Sequence, residues 1–111
     1  MQTFSIADSK VFESIANGKK IYEGRTPDSR MATVSIDELI QFTNGERSCV
    51  VRIKGFEIFD SIEEMLQKIG VDKMLPHLSD FNSAVNVYKE CRKMGGHSEN
   101  GKTIAIGFEL V

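Results

Sequence analysis

The sequence predicts an α+β domain: a small, mostly antiparallel β-barrel with helices packed at its ends. Three observations predict it. Helical stripes interrupt short runs rich in β-branched and aromatic residues, in the order helix, several strands, two helices, one strand. The 111 residues are 41% hydrophobic and 27% charged, which suits one domain, residues 1–111, with one modest core. No repeat, low-complexity tract or linker interrupts the chain, and it holds only two prolines and nine glycines.

Each element has a local reason. Residues 8 to 17 read as a short helix, with Val11, Phe12 and Ile15 as its apolar stripe. Asp8 or Ser9 can cap it, and Gly18 stops it. Residues 20 to 25 follow as a strand, and Thr26-Pro27-Asp28-Ser29 as a turn, because proline fixes φ and Asp and Ser bond their own backbone. Thr33 to Phe42 reads as strand with a bend at Asp37-Glu38, and Asn44-Gly45 is a hairpin signal. Cys49 to Phe59 is the strongest strand pattern. Ser61-Ile62-Glu63-Glu64 is a capping box that opens a helix. Ile62, Met65, Leu66 and Ile69 are its buried stripe, and Gly70 ends it. Leu75-Pro76 marks a break. A further helix begins between Ser79 and Ser83 and ends at Gly95, with Ala84, Val85, Tyr88 and Cys91 as its apolar face. After a polar loop over His97 to Gly101, Thr103 to Leu110 is the last strand, with Ile104, Ile106, Phe108 and Leu110 on one face.

Bulk properties exclude several classes. A net charge of −2 and a pI near 5.7 argue against coating nucleic acid by overall attraction. Any such binding needs a local patch. Cys49 and Cys91 read as reduced core residues rather than a disulfide. The first residues lack the basic and apolar regions of a secretory leader, and no apolar run reaches membrane-span length. The expectation is a soluble, intracellular, cytoplasmic protein, with the nucleus left open as a lesser alternative. There is no Cys-x-x-Cys, and His77 and His97 stand apart without ligand-spaced partners. No metal site, no cofactor and no Gly-rich phosphate loop is expected; Gly95-Gly96 reads as a helix stop.

The chemistry concentrates in Gly18-Lys19-Lys20-Ile21-Tyr22-Glu23-Gly24-Arg25. If Ile21 points inward, the period of two puts Glu23 and Arg25 on the same face. An inward carboxylate and guanidinium cost several kcal/mol unless they pair or line a wet cleft. The competing reading is an exposed edge strand whose charges block aggregation.

With these residues in view, the chain resembles the ASCH (activating-signal-cointegrator homology) domain, a group related to the PUA domain. Gly18-x-Lys20-x-x-Glu23-x-Arg25 is similar to the family's G-x-K-x-x-E-x-R signature. Asp37-Glu38 before Leu39-Ile40-x-Phe42 falls where the family has Gly-Asp before an apolar strand. Phe59-Asp60-Ser61-x-Glu63-Glu64-x-Leu66, Leu75-Pro76, Ala84-x-x-x-Tyr88 and Ile104-Ala105-Ile106 are also similar. The resemblance implies a PUA-like β-barrel with a cleft between barrel and helices, and a place in RNA metabolism. Members are linked to RNA binding, ribonuclease activity and deacetylation of acetylcytidine. Lys20, Glu23 and Arg25 would line the cleft, with Lys19 and Tyr22 nearby. One departure bears on chemistry: Glu23 stands where the acetylcytidine hydrolases carry a nucleophilic threonine, although Thr26 is close in sequence.

Three functions follow as expectations. The first is binding of single-stranded RNA or a modified nucleotide through Lys19, Lys20, Tyr22, Glu23 and Arg25, with Lys and Arg on phosphate or base edge and Tyr22 as a stacking platform. Lys19, Arg30, Arg47, Arg52 and Lys54 could extend a basic track, although Arg52 and Lys54 read equally well as the solvated face of a strand. The second is a nucleoside or RNA hydrolase in which Lys20 and Glu23 form a general acid/base pair. The third is a protein-interaction module with the charged strand as plain surface.

Overall fold

The computed structural model describes all 111 residues, Met1–Val111. Strand β1 (Gln2–Ser5) leads into helix α1 (Ser9–Ala16), then β2 (Tyr22–Arg25) and a 3-10 turn at Arg30–Thr33. Next come β3 (Leu39–Asn44) and the long β4 (Arg47–Phe59). Helices α2 (Ile62–Ile69), α3 (Val71–Met74) and α4 (Phe81–Met94) precede the last strand, β5 (Thr103–Leu110).

The five strands form one sheet in the order β1-β3-β4-β5-β2. Every pairing is antiparallel except β1 with β3. The sheet curls into a half-barrel and the fold is α+β, as the strand and helix order led us to expect, and PUA-like, as the family resemblance implied. A β-bulge helps it curl: between Ile53 and Gly55 the register of β4 against β5 slips by one residue. Such a bulge bends a strand and adds twist.

Helices pack against the sheet, α1 on β3, α2 on β4 and β5, and α3 on β2. Asp8 caps α1 by accepting from the Lys10 and Val11 amides. Val11, Phe12 and Ile15 of α1 are buried, and Phe12 and Ile15 are about 1% exposed. Ser61 caps α2 through the Glu64 amide, and Asp80 caps α4 through the Ser83 amide. α2 and α4 pack on each other, and Met65, Leu66, Ala84 and Val85 join the sheet's Ile53, Phe59 and Ile106 in one core. No helix is long and apolar enough to cross a membrane.

Several local expectations need correction. The strand expected over 33–42 begins only at Leu39. Thr33 closes the 3-10 turn, Ile36 is exposed, and Asp37 holds φ of +71°, a left-handed conformation that Asp tolerates better than most residues. The bend at Asp37-Glu38 is therefore a strand entrance rather than a kink within a strand. Strand β1 and the single turn α3 carry no sequence signal of their own; β1 exists because β3 offers it a parallel edge. Neither cysteine is core: Cys49 is half-buried and Cys91 exposed, both as free thiols. Leu110 lies at the end of β5 and is exposed.

Candidate functional site

The geometry of the site begins at the end of α1. Gly18 adopts φ of +81° and turns the chain back, so that the Lys20 amide donates to the Ser14 carbonyl at 2.8 Å. The Ile21 amide then donates to the Lys73 carbonyl at 3.0 Å. These two bonds draw Lys20 under α3, ahead of β2 rather than within it. Its side chain points into the core and is 0% exposed. The ammonium donates to the Met74 carbonyl, lies 3.4 Å from the Tyr88 hydroxyl, and is 3.4 Å from Glu23 Oε1.

Glu23 is the hub. Oε1 also accepts from the Gly24 amide at 2.9 Å and from the Tyr88 hydroxyl at 3.3 Å. Oε2 is 3.2 Å from Arg25 Nη1. Burial alone would raise this carboxyl, but the Lys20 and Arg25 cations and the Gly24 amide outweigh it and hold it at about 2. Burial lowers the Lys20 ammonium, with the Glu23 charge acting against that shift. Burial and the Glu23 charge push Tyr88 well up, so its hydroxyl keeps its proton.

Arg25 carries this buried network to the surface. Its side chain is 31% exposed. Nη1 serves Glu23 and the Gly24 carbonyl, while the remaining guanidinium nitrogens make no hydrogen bond within the chain. Arg25 opens onto a cleft of about 410 Å³ between β2, the segment Ser5–Asp8 and α4. Ile6, Val11, Ile62, Leu75 and Val87 give the cleft apolar walls, and Glu23, Thr26, Ser29, Tyr88 and His97 supply its polar groups. The Ser29 hydroxyl oxygen is buried with no hydrogen-bond partner. Arg92 donates to the carbonyls of Asn100, Gly101 and Lys102 and so ties down the loop that carries His97. Although Cys91 is exposed overall, partial desolvation of its thiol at the cleft wall, followed by the charge of Glu23, raises it and keeps it protonated and a poor nucleophile.

Of the sequence-derived residues, Lys20, Glu23 and Arg25 therefore converge. Glu23 and Arg25 line the cleft, and Lys20 sits beneath the carboxylate. Lys19 and Tyr22 lie elsewhere. Lys19 is exposed on a second hollow beside α1. Tyr22 is half-buried with its ring over Gly107 of β5, where an added Cβ would come within 3.0 Å of Cε1. The basic track does not form. Arg30 stacks on Phe4 and donates to the Thr3 carbonyl, Arg47 pairs with Glu13, Lys54 pairs with Glu109, and Arg52 donates to the Asp37 carbonyl.

Sequence reasoning assigned Tyr88 to the core and passed over Ser29 and Arg92. Tyr88 did carry a signal: a hydroxyl on an otherwise apolar helical face needs a buried partner. No three His, Cys, Asp or Glu side chains converge on a point that could hold a metal ion.

Residues 8–111 match the family model of the ASCH domain. The whole chain superposes on the whole of the hypothetical protein PH0355, with a TM-score of 0.80 and 28% identity. It is similar to protein PF0455 from Pyrococcus furiosus at TM-score 0.76 and 25% identity, covering 99% of this chain and 96% of that one. The ASCH domain from Lactobacillus crispatus shares the fold at TM-score 0.62 and 16% identity, over 98% of this chain and 79% of that one. No curated protein is close enough in sequence to match.

Proposed function

The chain belongs to the ASCH domain family, and from that premise we propose that it binds RNA, taking one unstacked nucleotide or a modified nucleoside into the cleft beside β2. One observation carries the reading. The guanidinium of Arg25 is anchored by a buried carboxylate, yet keeps unused donors at a cleft whose surface is mostly apolar. Small-ligand sites have this composition: apolar walls with a few fixed polar groups. Arg25 suits the planar acceptor edge of a base or a phosphate. Ser29 also lines the cleft, with a buried hydroxyl that has no partner within the chain. Tyr88 and Lys20 act through Glu23, keeping it ionised and oriented.

A single-nucleotide cleft also fits the charge balance. With the outlying arginines tied to local partners and a net charge of −2, recognition rests on the cleft rather than on bulk attraction.

The hydrolase reading through Lys20 and Glu23 has less behind it. A carboxyl held at about 2 is a weak base at neutral pH. The Lys20 ammonium is buried below the carboxylate and does not line the cleft.

Fluorescence anisotropy with a labelled mixed-sequence single-stranded RNA tests the proposal, wild type against Arg25→Ala. Removing a charge-assisted hydrogen bond of roughly 1.5–3 kcal/mol weakens binding by about 10-fold or more. Unlabelled nucleoside monophosphates in competition separate recognition of one nucleotide from recognition of a strand. No binding by wild type even at low salt, or binding indifferent to Arg25→Ala, overturns the proposal.

A further inference from the structure

A second hollow, of about 250 Å³, lies on the other flank of α1 and holds only polar and charged groups and one proline. Lys10 and Lys19 stand on its wall with Asn17 and His77. The chain has nine lysines. Lys20, Lys54, Lys89, Lys93 and Lys102 each pair with a carboxylate. Lys10, Lys19, Lys68 and Lys73 are exposed and have no such partner, and of these four Lys10 and Lys19 share the hollow. The one carboxylate on the hollow, Glu13, is engaged by Arg47.

Two features that could repel an anion are neutralised. The last-turn carbonyls of α1 would face it with the negative end of the helix dipole. Those of Glu13, Ser14 and Ile15 are closed by the amides of Asn17, Lys20 and Gly18 at 3.0, 2.8 and 3.0 Å. The Asn17 side-chain oxygen accepts from the Lys19 amide at 3.0 Å, which fixes that side chain and leaves its amide group as a donor.

The hollow adjoins the nucleotide cleft. Along α1 and its cap, Asp8 and Val11 line the cleft while Lys10, Ser14 and Asn17 line the hollow. Leu75 lines the cleft, and its neighbours Pro76 and His77 line the hollow. The two sites are therefore separated by about one helix width, on the order of 10 Å. An RNA strand with one base in the cleft has phosphates within that distance.

We infer that Lys10 and Lys19, with Asn17 and His77 beside them, form a phosphate-binding subsite for the RNA backbone next to the nucleotide held in the cleft. Lysine point charges with no apolar or aromatic surface suit a phosphodiester and offer nothing for a base to stack on. The subsite contributes affinity without sequence preference. The inference rests on the RNA reading of the cleft. It also gives Lys19 a role that its distance from the cleft otherwise leaves empty.

The test is the salt dependence of binding to the same labelled single-stranded RNA. For single strands, the slope of log affinity against log salt falls by about 0.7 for each phosphate that the protein no longer neutralises. Lys10→Ala/Lys19→Ala is expected to reduce the slope by roughly 1.4, which makes the fall in affinity between 50 and 200 mM salt about 7-fold smaller. Lys54→Ala/Lys68→Ala removes the same charge from other surfaces and is expected to keep the wild-type slope. Competition by a nucleoside without phosphates is expected to report the same cleft affinity in wild type and Lys10→Ala/Lys19→Ala, and thermal melts check that both fold alike. Strand binding by wild type with an unchanged slope in Lys10→Ala/Lys19→Ala, or an equal drop in Lys54→Ala/Lys68→Ala, overturns the subsite and leaves the cleft reading standing. No strand binding by wild type overturns both.

Discussion

Glu23 and Arg25, two residues apart on β2, form a 3.2 Å ion pair whose ends see different surroundings. The carboxylate is 6% exposed and the guanidinium 31%. The buried end is fixed by Lys20, Tyr88 and the Gly24 amide, so the cleft receives a charged donor that is already oriented. A donor held in place loses less freedom when a ligand arrives, which is where preorganised sites gain affinity.

Arg25→Lys separates geometry from charge. The variant keeps the cation but loses the planar fork. RNA affinity is expected to fall nearly as far as in Arg25→Ala, by about 10-fold, if Arg25 works through paired hydrogen bonds. Isothermal titration of both variants checks this, and wild-type affinity in Arg25→Lys contradicts it.

The Glu23 network makes stability depend on acid. The folded carboxyl sits at about 2 against an ordinary 4.5, so the ionised form is favoured by folding. The stabilisation is fully present above pH 4.5 and is lost as pH falls through about 2. It corresponds to roughly 3 kcal/mol. Glu23→Gln is expected to lower stability at pH 7 and to flatten the decline between pH 4.5 and 2, read from urea melts across that range. A decline as steep as wild type's would assign it to other carboxyls.

Gly24 allows the close approach of α2 and α4 to β2. A Cβ there would lie 2.9 Å from Met65 Cε and 3.1 Å from Tyr88 Cε1. Met65 is fully buried, so its chain end has little room to yield. Gly24→Ala is expected to destabilise by about 1–3 kcal/mol through overpacking. It should also weaken RNA binding, because Tyr88 can no longer meet Glu23 as it does. A thermal melt and a binding titration check the two effects separately.

Ser29→Ala removes a buried hydroxyl that has no partner. Stability is expected to hold or rise slightly, since no intramolecular bond is broken. Ligand affinity is expected to fall by about 2- to 10-fold, the worth of one neutral hydrogen bond. Equal affinity in both proteins would remove Ser29 from the residues that touch the ligand.

Much of the architecture was legible because it rests on local chemistry. The capping box at Ser61, the stops at Gly18 and Gly70 and the alternation over 49–59 are short-range signals, and each marks an element boundary or strand in the structure. The period of two put Glu23 and Arg25 on one side of a strand, but left their pairing open. Lys20 was harder to read. It was assigned to the strand, yet its burial depends on the Met74 carbonyl and the Tyr88 hydroxyl, 54 and 68 residues away. Strand β1 and Ser29 were illegible for the same reason: an edge offered by β3 and a cavity wall are tertiary facts without local pattern. Lys19 and Tyr22 were grouped with the cleft by adjacency alone, and the turn at Gly18 together with strand alternation sends them elsewhere.

The most direct test of RNA binding in the cleft is a ¹H–¹⁵N chemical-shift titration with a short single-stranded RNA. The shifts are expected to gather on Gly24, Arg25, Thr26, Ser29, Cys91 and His97 around the cleft, with a second group at Lys10, Asn17 and Lys19. Shifts confined to the β3–β4 hairpin, or none at low salt, would contradict it.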